Sequence, residues 1–131
     1  MMFLTLLVWV YMYVRRISFL LRDKVDLRKV DTPEKMTIVV PDNVALAAHN
    51  LKNLFELPVI FYAACLYLYA TAIVDVAYLV AAWVFFGFRL LHSLIHCTSN
   101  IVIYRFLAYL ASALALWFMV LRAAAELLAT F

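Results

Sequence analysis

Glycine is almost missing from this chain: Gly87 is the only one in 131 residues, and charged residues make up just 15%. A single glycine excludes a glycine-rich phosphate-binding loop. There is also no internal repeat, no low-complexity tract and no nucleic-acid-binding motif. The scarcity of charge excludes more. Soluble domains run at roughly 25% charged and 45–50% apolar, whereas 69% of these residues are hydrophobic, and a water-soluble fold this short could not hide that surface. Cysteine is equally sparse. Cys65 falls well inside one apolar stretch and Cys97 near the end of the next, so their depths argue against a disulfide between them.

What the chain does have is four charge-poor stretches, each able to cross about 30 Å of hydrocarbon as a helix rising about 1.5 Å per residue. The expected architecture is an all-α membrane protein, a four-transmembrane-helix bundle forming a single domain over 1–131. Spans are expected at about 1–21, 53–74, 76–97 and 104–125, with a connecting segment at about 22–52. The first stretch lacks the charged lead-in and small-residue cleavage site of a secretory signal, so it is read as a retained span. Pro41 followed by Asp42 and Asn43 marks the start of a helix that runs on into the second span. The short link near 73–75 makes the second and third spans antiparallel neighbours.

The 22–52 segment mixes Arg22, Lys24, Arg28, Lys29 and Lys35 with Asp23, Asp26, Asp31 and Glu34. Of the eleven Lys and Arg residues, all but Arg122 lie on or towards that side. The positive-inside rule therefore makes it cytoplasmic and puts both termini on the non-cytoplasmic side. Contact with anionic lipid head groups is the plainest role for such a basic segment. A short multi-pass chain without a retrieval-type tail is expected in a bacterial inner membrane rather than the endoplasmic reticulum.

Ionisable groups at membrane depth cost several kcal/mol and persist where they meet a partner or a wet cavity. Here they are Glu56, Arg89, His92, His96 and Arg105. Asn53 and Glu56 are three residues apart on the second span and share a face. Pro58 should kink that helix and free the carbonyl of Leu54. Arg89, His92 and His96 stand at i, i+3 and i+7 of the third span, with Ser93 alongside, and Arg105 and Tyr109 at i and i+4 of the fourth. Three helices thus turn polar faces to one layer. A clasp between Glu56 and Arg89 would need neither two histidines nor a second arginine. A cationic pocket suits a polyanionic ligand, taken carboxylate by carboxylate. His92, His96 and the adjacent Cys97 invite a metal, but Arg89 and Arg105 disfavour a divalent cation and no metal is expected.

These residues carry a resemblance. Asn53-Leu54-Phe55-Glu56-Leu57-Pro58 resembles the N-x-x-E signature and following proline of the membrane-associated proteins in eicosanoid and glutathione metabolism. Arg89 through Tyr109 is similar to that family's R-x-x-H-[ST] face on the third helix, followed by an Arg and a Tyr on the fourth. The match covers roughly 43–121, and the short chain looks like a bacterial-type member.

The resemblance implies a homotrimer that binds glutathione as co-substrate between neighbouring subunits, with a lipophilic small molecule arriving from the bilayer. It implies that Arg105 stabilises the glutathione thiolate, with Tyr109 and His92 beside it as catalytic candidates. Asn53 and Glu56 map to positions that hold the tripeptide backbone and amino group, while Arg89 and His96 supply further donors. His49 and Lys52 stand where the family commonly has Arg, and His96 where it often has Tyr.

The function implied is a glutathione-dependent transferase or peroxidase acting on lipophilic electrophiles or lipid hydroperoxides. The alternative is a non-catalytic lipid-binding or scaffold protein of the same family. A third class, proton or ion translocation, is disfavoured because no polar set continues through the outer half of the spans.

Overall fold

The computed structural model describes residues 1–26, 28 and 30–129, without the side chains of Pro33 and Thr37. The loop cation Lys29 lies outside the described residues. Among the described residues six helices follow in order: α1 (Met2–Arg22), α2 (Pro33–Val39), α3 (Asp42–Leu54), α4 (Leu57–Thr71), α5 (Val76–Cys97) and α6 (Val102–Leu128). They fall into two compact units, Met1–Asn53 and Leu54–Phe131.

In the first unit, α1 buries Leu4, Val8, Met12 and Phe19, which recur at helical spacing on one face. It ends at Arg22, where the Asp23 N–H still reaches the Phe19 carbonyl. Thr32 caps α2 by accepting from the Lys35 N–H at 3.3 Å, with Pro33 opening the helix. Pro41 then opens α3: its carbonyl accepts from the N–H groups of Val44 and Ala45.

Between α3 and α4 the chain differs from the kinked continuous helix expected there. Helix stops at Leu54 and restarts at Leu57, with Glu56 at φ −98°, ψ −106°. The cause is Pro58, which cannot donate to the Leu54 carbonyl and whose ring crowds it. The chain resolves this by beginning a new helix, where proline in the first turn costs nothing. The Val59 N–H then bonds to the Glu56 carbonyl at 3.1 Å.

In the second unit, α6 packs along α5 and, less extensively, against α4. Its core joins Leu68, Tyr78, Ala81, Met119 and Ala123, and the Phe61 and Phe85 rings stack at 4.3 Å between α4 and α5. Ala72 ends α4 in the left-handed conformation (φ 56°), and Asp75 caps α5 by accepting from the Tyr78 N–H at 3.0 Å.

Among the described residues four segments are long and apolar enough to cross a membrane: Met2–Arg22, Asp42–Thr71, Val76–Cys97 and Val102–Leu128. At most 33% of the most apolar window of each is buried. Leu66, Tyr69, Trp83 and Leu114 stand outward with most of their surface exposed. Such faces are intolerable in water and free of cost in lipid. The molecule is an all-α, multi-pass integral membrane protein.

Candidate functional site

The polar residues of α5 lie on its most buried face. Arg89 is completely buried, and His92, Ser93 and His96 are nearly so. Arg89 sits between two rings, with its guanidinium carbon 5.6 Å from the Phe85 centroid and 4.9 Å from that of Tyr109. Its three guanidinium nitrogens have no hydrogen-bond partner among the described residues. Aromatic faces return about 2 kcal/mol or somewhat more when desolvated, less than the several kcal/mol that burying a cation costs, so Arg89 needs an anion. Glu56, exposed at the α3–α4 break, interacts electrostatically with Arg89 and His92.

α6 enters this layer through its first turns. His92 Nδ1 lies 2.9 Å from the backbone carbonyl of Arg105. A carbonyl only accepts, so Nδ1 carries the proton, and in the neutral ring Nε2 is left as an acceptor. That Nε2 is buried and unpartnered among the described residues. The His92 ring is 6.0 Å from Tyr109 and 5.6 Å from His96. Arg105 is half-buried, and its Nη1 donates to Asn100 Oδ1 at 2.6 Å.

Asn100 escaped the sequence reading. It holds the left-handed conformation (φ 50°) in the α5–α6 turn, and its N–H bonds to the Ile95 carbonyl at 2.7 Å. The signal was available: an asparagine just past the last apolar turn is a common way to end a helix. It fixes the turn and one nitrogen of Arg105 together.

Arg89, His92, His96, Arg105 and Tyr109 are therefore gathered at one end of the α5–α6 pair, with Glu56 in electrostatic range. Lys52 and Asn53 occupy the last turn of α3, exposed and half-buried respectively. Among the described residues, no group of three or more His, Cys, Asp or Glu is arranged to hold a metal ion. Neither Cys65 nor Cys97 is in a disulfide.

The opposite end of the second unit carries Arg122, the one Lys or Arg that the sequence places towards that side, within a charged group. Arg122 makes two bonds to the Asp75 carboxylate, Nη1 to Oδ1 at 3.0 Å and Nη2 to Oδ2 at 2.5 Å. Its Nε meets Glu126 at 2.9 Å, and its guanidinium carbon lies 4.4 Å from the Tyr78 ring centroid. The bonds from Arg122 hold the Asp75 carboxyl below its ordinary pKa, helped by its cap bond from the Tyr78 N–H. The group is a clasp between the α4–α5 turn and α6.

A search of curated proteins found no match, and a search of solved structures found none either. The model of the MAPEG family matches residues 1–125 of the 131. With four apolar spans and nearly its whole length matched, the chain belongs to the MAPEG family of membrane proteins in glutathione and eicosanoid metabolism.

Proposed function

We propose that this protein is a glutathione-dependent transferase or peroxidase acting on lipophilic electrophiles or lipid hydroperoxides, and that it works as a homotrimer. The observation that carries the reading is the buried Arg89, unbonded and facing Tyr109, beside His92 and Arg105 on the neighbouring helix. A buried cation with unused donors suits a carboxylate, and glutathione has two. The family resemblance assigns Asn53, Glu56 and Lys52 to the rest of the tripeptide, with His96 as a further donor.

The chemistry follows from charge. Arg105, restrained by Asn100, offers a fixed positive charge to the sulfur and favours its thiolate. His92 Nε2 is an acceptor of the right kind for the thiol proton. With a halonitroarene, the thiolate forms the new C–S bond and halide leaves with the electron pair of the C–halogen bond. With a hydroperoxide, the thiolate attacks the terminal oxygen. The O–O bond breaks, the alkoxide takes up the proton, and a second glutathione converts the sulfenic acid to disulfide and water.

The test is conjugation of glutathione to 1-chloro-2,4-dinitrobenzene by the purified protein and by Arg105→Ala. The expected loss is about 10²-fold or more, the size of removing one preorganised charge-stabilising donor. Equal rates in both proteins, with no thiolate difference spectrum in either, would overturn the reading. We further propose that the 22–52 segment is cytoplasmic and both termini are on the opposite side, as the distribution of Lys and Arg predicts.

A further inference from the structure

The unit Met1–Asn53 contains a second cationic pocket, remote in sequence from the polar layer of α5 and α6. Arg15, Ser18 and Arg22 share one side of α1, being three, four and seven residues apart. They line a cavity of about 260 Å³ whose other wall includes Asn43 and its neighbours at the start of α3. Among the described residues no carboxylate lines it. Arg22 bonds the adjacent Asp23 at 3.1 Å, an exposed pair of little strength.

Arg15 is the informative residue. It stands seven residues inside the end of α1, about 10 Å along the axis of an apolar span. An arginine at such depth reaches for the polar zone and for an anion. Its Nη2 donates to the Asn43 carbonyl at 3.0 Å, and its guanidinium lies 6.0 Å from the Tyr11 ring. Among the described residues it has no carboxylate within ion-pair distance.

The surface leading to the cavity is apolar. Leu7, Tyr11 and Val14, 50%, 39% and 56% exposed, follow one ridge of α1 that continues to Ser18. A ligand that fits has an anionic head small enough for the cavity and a hydrocarbon tail that follows the ridge. We propose that this pocket binds one anionic phospholipid, with its phosphodiester between Arg15 and Arg22 and an acyl chain along Leu7, Tyr11 and Val14. A lipid held there supplies the counter-charge that the chain itself does not give Arg15.

The full chain in neutral detergent can be tested by thermal unfolding with phosphatidylglycerol, with phosphatidylcholine of the same acyl chains, and with glycerol 3-phosphate. Phosphatidylglycerol is expected to raise Tm by a few degrees, and the other two to leave it nearly unchanged. Arg15→Gln with Arg22→Gln should remove the increment. Arg16→Gln with Arg28→Gln, which deletes the same charge outside the cavity, should keep it. Equal loss in both double variants would mean diffuse attraction and overturn the site. An equal increment with phosphatidylcholine, or a full increment with glycerol 3-phosphate, would overturn the lipid assignment. If the Arg15/Arg22 variant does not fold, native mass spectrometry of the unsubstituted chain decides. One discrete phosphatidylglycerol adduct per protomer, retained against excess phosphatidylcholine, is expected, and its absence would overturn the proposal.

Discussion

If the proposed function holds, Arg89 separates stability from function at a single side chain. A buried guanidinium without hydrogen bonds is a cost to the fold, and replacing buried ionic groups by apolar ones of similar volume is often neutral or stabilising by about 1–4 kcal/mol. Arg89→Met is therefore expected to keep or raise Tm while abolishing the rise that glutathione produces in the unsubstituted protein. A variant that loses Tm but still responds to glutathione would make Arg89 a packing residue. Asp75 is the opposite case, a charge whose worth lies in the clasp. Because its folded pKa is depressed, its contribution is complete above the unfolded value of about 4 and is lost as pH falls through the folded value. Asp75→Asn keeps a capping side chain but loses the ionic partner of Arg122. The variant should unfold at lower temperature than the unsubstituted protein at pH 7, with the difference shrinking below about pH 4. An unchanged difference across that range would show that the clasp has no ionic share.

At the scale of elements, two interruptions shape the polar layer. The first is the Phe55–Glu56 break, which Pro58 imposes and which leaves Glu56 outside regular helix. Pro58→Ala restores the missing donor and is expected to extend helix across the break at a stability change of about 1 kcal/mol or less. Its main effect should be a weaker glutathione-induced Tm rise, because Glu56 is re-aimed. The second is the turn at Asn100. Asn100→Gly keeps the left-handed backbone and removes only the bond to Arg105, so about 1 kcal/mol of stability and part of the activity should go. Asn100→Ala should cost a further 1 kcal/mol or so for the strained backbone, with the same loss of activity. Activity that tracks stability across these two variants, rather than the shared loss of the bond, would remove Asn100 from its role in positioning Arg105.

For the whole molecule, the apolar exterior decides solvent and, on the proposed reading, the polar layer decides ligand. A ligand binding only the folded state raises stability by about 2.7 kcal/mol at a hundredfold excess over its Kd, so glutathione should raise Tm by several degrees in detergent. No rise would favour a lipid-binding or scaffold role within the same family. Light scattering of the detergent complex, corrected for bound detergent, should return three times the protomer mass. A single protomer mass would refute the trimer.

Much of this was legible in one dimension. Hydropathy identifies membrane spans because the bilayer demands one property, apolar length, and among the described residues four segments meet it. The i, i+3, i+7 spacing of Arg89, His92 and His96 likewise puts them on one face before any coordinates exist. What spacing cannot give is contact between helices. That the His92 ring donates to the Arg105 carbonyl, that Asn100 holds Arg105, and that Arg122 reaches back to Asp75 are facts of tertiary structure. The pairs are 13, 5 and 47 residues apart, and the packing of α5 on α6 with its tight turn decided each of them. The break before Pro58 belongs with them. A proline tells the chain that one hydrogen bond is missing, but only the fold decides whether the helix bends there or stops.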